Sequence, residues 1–259
     1  MFNRDYKKKE SEIVSFIQKT LKDAEVKKIV IGLSGGLDSS TCALLIKKAV
    51  GAINILPVIL PYEDLHKGAI EDVKHIVSKL EIPAINVYKI NIQKAVDAIV
   101  DNEKDMPVLR KGNIMSRVRM IYLYDLAKKH QALVCGTENK SEFLLGYFTR
   151  FGDEASDFEP LRQLYKTEVR QLARHIGVSK KIIEKHPTAG LWQGQTDEQE
   201  FGFSYADADQ VLHLTFDKKL TPDQIIKTSG IDQLTVKKVL ARVAKNSFKH
   251  DVPKVPVEK

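Results

Sequence analysis

Lys28-Ile29-Val30-Ile31-Gly32-Leu33-Ser34-Gly35-Gly36-Leu37-Asp38-Ser39-Ser40 passes from a β-branched run into a glycine and serine cluster, then into a helical pattern. The spacing predicts a buried strand over 28–33, a tight loop, and a helix from Ser39 to Val50 closed by Gly51. A helix N-terminus carries unpaired N–H groups and a partial positive charge, and adjacent glycines let a backbone approach an anion closely. Ser34, Ser39 and Ser40 add hydroxyl donors, so the unit reads as a phosphate loop. It is not a Walker loop, because G-x-x-x-x-G-K-[ST] is absent and no lysine occupies the turn. A carboxylate at Asp38 would repel bound phosphates unless a cation lay between them, which argues for Mg²⁺ bridging Asp38 and a pyrophosphate. The plainer alternative is that Asp38 caps the helix and the glycines make a turn.

Outward from this unit the pattern repeats. Ile53 to Leu60 reads as a strand, Ala69 to Leu80 as a helix, and Ala84 to Ile90 as a strand, with Asn91 placed to cap the next helix. A charged turn at Asp101-Asn102-Glu103 precedes a long helical stretch over 113–129, and Ala132-Leu133-Val134-Cys135 is a fourth compact strand. Upstream, Ile13, Phe16, Ile17, Thr20 and Leu21 follow the spacing of an amphipathic helix. Strands alternating with helices imply an α/β fold with a doubly wound parallel sheet. Residues 137–163 are polar and aperiodic, long for a connection, and function concentrates in such loops. A helix from Thr167 to Ile176 ends at Gly177, and a loop runs through Pro187 to Glu200. The C-terminal region, about 200–250, is helical: Thr221-Pro222-Asp223-Gln224 has capping-box spacing, and Val236, Val239, Leu240 and Val243 mark a last amphipathic helix. We expect a single domain over residues 1–259, with its α/β core at about 25–180, and find no internal repeat.

Composition narrows the classes. Of 259 residues 43% are apolar, as in globular proteins, and no run approaches the roughly 20 apolar residues of a membrane span. The opening MFNRDYKKKE is too charged for a signal peptide, so a cytoplasmic location is the default expectation. Cys42 and Cys135, each in an apolar run, read as buried free thiols. The histidines show no zinc spacing, so any metal should be a hard, oxygen-bound ion. The formal charge of +7 suits an anionic partner without choosing which, and much of the excess sits in Lys7-Lys8-Lys9 and in the tail from Lys237 to Lys259.

The Ser34-Gly35-Gly36-Leu37-Asp38-Ser39 loop resembles that of the ATP pyrophosphatase group, whose members hold the two outer phosphates of ATP while the α-phosphate is attacked. Further segments resemble the NAD synthetase family in particular: Gly112-Asn113-Ile114 with Arg117-Val118-Arg119-Met120, Gly136-Thr137-Glu138-Asn139-Lys140-Ser141-Glu142, Tyr147-Phe148-Thr149-Arg150-Phe151-Gly152-Asp153, and Asp157 with Pro160-Leu161. Lys166 and Gln195-Thr196-Asp197-Glu198 continue the match. The resemblance implies a Rossmann-like, adenine nucleotide alpha hydrolase-like fold. It places ATP, the cosubstrate, at Gly32, Leu33, Ser34, Gly35, Gly36, Leu37, Asp38, Ser39, Thr137, Lys166 and Thr188. It places Mg²⁺ at Asp38 and Glu142, and deamido-NAD at Arg117, Arg150, Asp157 and Lys249. At 150 many relatives carry lysine, and the family's terminal His-Lys pair aligns with Phe248-Lys249, with His250 one position later.

The implied chemistry is amidation. A carboxylate resists attack by ammonia because it is anionic and lacks a leaving group, so ATP must first activate it. The expectation is adenylation of the nicotinate carboxylate with loss of pyrophosphate, aided by Asp38 and Lys166, then displacement of AMP by ammonia. Asp153 is a candidate to deprotonate ammonium or the tetrahedral intermediate. Neither cysteine has an amidase context, so we expect no glutaminase domain and direct use of ammonia. The resemblance also implies a homodimer acting on small molecules. A tRNA-modifying relative is the first rival, although several such enzymes need paired cysteines; neither nucleic acid nor membrane is an expected partner. A second rival is an ATP-binding regulatory module, against which the Glu142 and Arg117 segments count.

Overall fold

The computed structural model describes residues 2, 4–63, 65, 67–192, 194–251, 253 and 256. The last lysines of the basic tail, 254 and 259, lie outside them.

Helix α1 (Tyr6–Asp23) precedes strand β1 (Lys28–Gly32), helix α2 (Leu37–Val50), strand β2 (Ile55–Ile59) and helix α3 (Lys67–Lys79). Strand β3 (Tyr88–Lys89), helices α4 (Gln93–Val100) and α5 (Val108–His130), and strand β4 (Ala132–Cys135) complete the sheet layer. The four strands are parallel in the order β3-β2-β1-β4. Between β2 and β4 lies β1, so its carboxyl end opens at the middle of the sheet, where ligands of open α/β sheets bind.

Side-chain alternation along the strands divides the core. Ile29, Ile31, Ile55 and Ile59 face α1, α2 and α3, while Val30, Leu56, Val58 and Val134 face α4 and α5. Helix α1 buries Ile13, Ile17 and Leu21 and leaves Phe16 partly in solvent. Gly51 closes α2 at φ 77°, a positive φ where a side chain would be strained.

Two sequence expectations change. The strand expected over 84–90 is a 3-10 turn at Ala84–Asn86 followed by two paired residues. Asn86 Nδ2 donates to the Ile53 carbonyl at 2.8 Å and Asn86 N bonds Pro83 O, so a side-chain bond and a turn bond stand in for the ladder until Tyr88. The stretch over 137–163 contains helix α6 (Lys140–Leu145), too short for apolar periodicity to reveal.

Helices α7 (Lys166–Ile176) and α8 (Lys180–Ile183) follow, α7 packing on α1 and α2. Then come α9 (Asp197–Phe201), α10 (Tyr205–Leu212), α11 (Pro222–Ser229) and α12 (Gln233–Asn246). These C-terminal helices enclose a third core of Phe201, Tyr205, Val211, Ile225, Val236 and Val239, to which α6 adds Leu145. The capping box expected at Thr221 is present. Among the described residues no helix is long and apolar enough to cross a membrane.

Candidate active site

The turn after β1 begins the site. Ser34 Oγ and Ser39 Oγ lie 3.1 Å apart, and Ser40 Oγ donates to Gly36 O at 2.6 Å, so the hydroxyls brace the turn. Gly35 sits at φ +73°, and a Cβ there would lie 2.8 Å from the Ala69 carbonyl of α3. Asp38, in the first turn of α2, makes no N-cap bond, which sets aside the plain capping role. Its carboxylate points instead to the next segment of chain.

That segment is built by a capping box. Asn139 Oδ1 accepts from Glu142 N at 3.1 Å, starting α6, while Asn139 Nδ2 donates to Asp38 Oδ1 at 3.2 Å. The same cap fixes Glu142 beside Asp38. Lys166, the first residue of α7, donates from Nζ to Asp38 Oδ2 at 2.6 Å and to Glu142 Oε1 at 2.8 Å. The ammonium is buried, which alone would depress it, yet the two carboxylates outweigh burial and hold it above the ordinary lysine range. Burial pushes Glu142 above the ordinary carboxylate range against the pull of Lys166. Three residues from the phosphate loop, α6 and α7 therefore meet at one point.

A hydroxyl network surrounds it. Tyr205 OH donates to Asp197 Oδ2 at 3.0 Å and lies 3.5 Å from Glu142 Oε1, and Tyr147 OH lies 3.0 Å from Asp197 Oδ1 and 3.1 Å from Glu200 Oε2. Burial raises both phenols and Asp197. Beneath, Asp209 of α10 accepts from Ser141 Oγ, from Thr167 N at 2.8 Å and from Thr167 Oγ1 at 2.7 Å. Ser141 Oγ in turn accepts from Lys166 N at 2.8 Å.

Beside this cluster a cavity of about 800 Å³ opens across the carboxyl ends of β1, β2 and β4. Its walls include Gly32, Leu33, Ser34, Thr137, Asp153 and Lys249 among the residues expected from sequence. Asp153 is held by Ser116 Oγ at 2.5 Å and Thr149 N at 3.0 Å. Lys249 Nζ donates to Gly146 O at 2.7 Å and Phe148 O at 2.9 Å, and burial lowers it. His250 turns away from it, bonding Phe143 O at 2.7 Å.

Other expected residues are not brought to the cavity. Arg117 and Arg150 stand together outside it, Arg117 Nε bonding Arg150 O at 3.2 Å, with Arg150 over the Phe151 and Phe248 rings. Asp157 accepts from Val134 N at 2.7 Å, bracing the edge of β4. Exposed Thr188 accepts from Gly190 N at 3.0 Å. Sequence reasoning gave no role to Asp209, Tyr205 or Arg242, of which Arg242 lines the cavity from α12. A signal existed: Tyr205, Ala208, Asp209 and Leu212 form a helical core stripe with an acid inside it, and all four are buried.

The model of the NAD synthase family matches residues 10–253. The chain belongs to the NAD synthase family. Among curated NAD synthase relatives, the NH(3)-dependent NAD(+) synthetase of Thermococcus kodakarensis is 44% identical, covering 97% of this chain and 98% of its own. Among solved structures, an NMN synthetase from Francisella tularensis superposes with a TM-score of 0.85 at 31% identity, over 98% of this chain and 99% of its own. The NH3-dependent NAD synthetase from Campylobacter jejuni superposes at 0.82 and 30% identity, over 98% of this chain and 100% of its own. The parallel sheet with flanking helices is thus the fold of the NAD synthase family, as the alternation of strands and helices predicts.

Proposed function

We propose that this chain is an ammonia-dependent NAD synthetase: with ATP it converts the nicotinate carboxylate of deamido-NAD to the amide, releasing AMP and pyrophosphate. The observation that carries this reading is Lys166 held between Asp38 and Glu142 behind a phosphate loop, in a chain so similar to NH(3)-dependent synthetases.

The N–H groups of the Ser34–Ser39 turn and the start of α2 receive the outer phosphates of ATP. Lys166 is then well placed to follow the departing pyrophosphate, since charge develops there as the nicotinate oxygen attacks the α-phosphate. Fixed donors of this kind contribute about a hundred- to thousand-fold each. Ammonia attacks the resulting acyl adenylate and displaces AMP. Asp153, fixed by Ser116 and Thr149 on the cavity wall, receives the proton that the incoming amine must lose.

The donor set fits Mg²⁺. Asp38 and Glu142 converge on a single cation, here the Lys166 ammonium, and two carboxylates with substrate phosphates make an ordinary magnesium shell. Bound there, Mg²⁺ would neutralise charge on the leaving pyrophosphate. The chain is further proposed to work in the cytoplasm as a homodimer, for which a light-scattering mass is the check.

A second reading, amidation of the mononucleotide, is favoured by the likeness to an NMN synthetase. The higher identity to NAD synthetases favours the dinucleotide. One assay tests both. ATP, Mg²⁺ and ammonium are supplied with nicotinate dinucleotide or mononucleotide, and AMP, pyrophosphate and amide are quantified. Faster turnover of the mononucleotide reverses the preference, and no AMP from either ends the proposal.

A further inference from the structure

The family resemblance gives roles to Arg117 and Arg150, which stand outside the cavity. It gives none to Arg119, which is inside. Two residues beyond Arg117 on α5, Arg119 lines the cavity together with Asn113, Ser116 and Met120 of the same helix. Among the described residues its side chain makes one hydrogen bond, Nε to the Leu60 carbonyl at 3.2 Å, and no ion pair. Leu60 follows β2 at the carboxyl edge of the sheet.

A guanidinium in such a place is costly. Other half-buried arginines face acidic side chains: Arg162 lies 2.7 Å from Glu138, and Arg242 3.9 Å from Glu200. The acid acting on Arg119 from a distance is Asp153, whose Oδ1 is already engaged by Ser116 and Thr149. Burial pushes the guanidinium down to about 10. Arg119 is half-buried in the cavity wall, with no carboxylate at ion-pair distance among the described residues, and a partly desolvated guanidinium gains most from a ligand oxyanion that completes the pair. With Nε tied to Leu60, the two terminal amino groups remain, and their paired N–H bonds match two oxygens of one phosphate or carboxylate.

We propose that Arg119 is an oxyanion receptor of the substrate cleft, pairing with a phosphate or carboxylate oxygen of a bound substrate that alone completes its ion pair. This rests on the reading of the cleft as the site of ATP and deamido-NAD. The two sources of the oxyanion are told apart by titrating each substrate separately.

The experiment uses the full chain and the variants Arg119→Met and Arg119→Lys. Ligand-free melting temperature is measured first, then affinity for ATP with Mg²⁺ and for deamido-NAD by calorimetric titration. Expected are a ligand-free melting temperature equal to or above the parent's in Arg119→Met, and at least about tenfold weaker binding of one substrate. Arg119→Lys, which keeps charge without the fork, should recover part of that loss. Affinities for both substrates within twofold of the parent's would overturn the assignment, as would weakening seen only together with a lowered ligand-free melting temperature. If the parent binds neither substrate, the cleft reading itself falls and Arg119 with it; a parent that binds both, with an indifferent variant, removes only Arg119.

Discussion

Lys166 and Asp38 lie 128 residues apart in sequence and 2.6 Å apart in space, with Glu142 on the other side of the same ammonium. These contacts tie the phosphate loop, α6 and α7 to one another. On the proposed function, the phosphates of ATP would draw the lysine and a divalent ion would take its place between the acids.

Asp38→Asn keeps the shape of this junction while removing the charge. Pyrophosphate release should fall about a hundred- to thousand-fold, with higher Mg²⁺ needed for half-maximal rate. The ligand-free melting temperature should change far less than the rate does. Retention of most of the turnover would count against the phosphate-loop assignment.

Gly136 makes a steric prediction. A Cβ there would lie 1.9 Å from Glu159 Oε1 and 2.7 Å from the Ser156 Cβ. Glu159 cannot swing aside freely, because it accepts from Glu138 N at 3.0 Å and from Ser156 Oγ at 2.9 Å. Gly136→Ala should therefore cost about 1–3 kcal/mol in denaturant unfolding, and Glu159→Ala introduced with it should return part of the loss.

Glu138 gives a pH dependence. Its side chain is buried, neither oxygen has a well-aligned hydrogen bond among the described residues although Arg162 lies 2.7 Å away, and burial pushes it up to about 9. In the unfolded chain it titrates near 4.5, so between about pH 4.5 and 9 the folded state binds more protons than the unfolded one. Stability then declines as pH rises through that window, by up to about 1.4 kcal/mol per pH unit for this group, and levels off above it. Glu138→Gln should flatten the slope and raise the melting temperature at pH 8. An unchanged slope would show that Glu138 ionises freely in the folded protein.

How far the fold was legible follows from the length of each signal. Lys28 to Val50 declares strand, loop and helix within one stretch, and each boundary is set by local chemistry: β-branching, paired glycines, a closing Gly51. Tyr88–Lys89 is shorter than any pattern, and Asn86 and Pro83 supply bonds that a periodic reading ignores. The site divides in the same way. Asp38, Glu142 and Lys166 are visible as motif residues, yet their meeting depends on Asn139 capping α6 and bonding Asp38 with one amide. Arg117 and Arg119 are two positions apart on a helix, about 200° around its axis, so only the packing of α5 decides which one enters the cavity.

Asp209 supplies the last prediction. It is fully buried on α10, raised by burial to about 6, and joins the C-terminal helices to the N-terminus of α7 through Ser141 and Thr167. Asparagine has one acceptor oxygen where the carboxylate has two, so its amide N–H group must face either Ser141 or Thr167 and strand a donor there at about 1–3 kcal/mol. Because Ser141 also holds Lys166 N, the displacement reaches the ammonium between Asp38 and Glu142. Asp209→Asn should therefore lower kcat at least about tenfold while leaving KM for deamido-NAD within a few-fold. Thr167→Val, which removes only the hydroxyl contact at 2.7 Å, should lower kcat less. If Asp209→Asn lowers the melting temperature and leaves kcat intact, the aspartate is a tether of the C-terminal helices alone, and α7 keeps Lys166 in place without it.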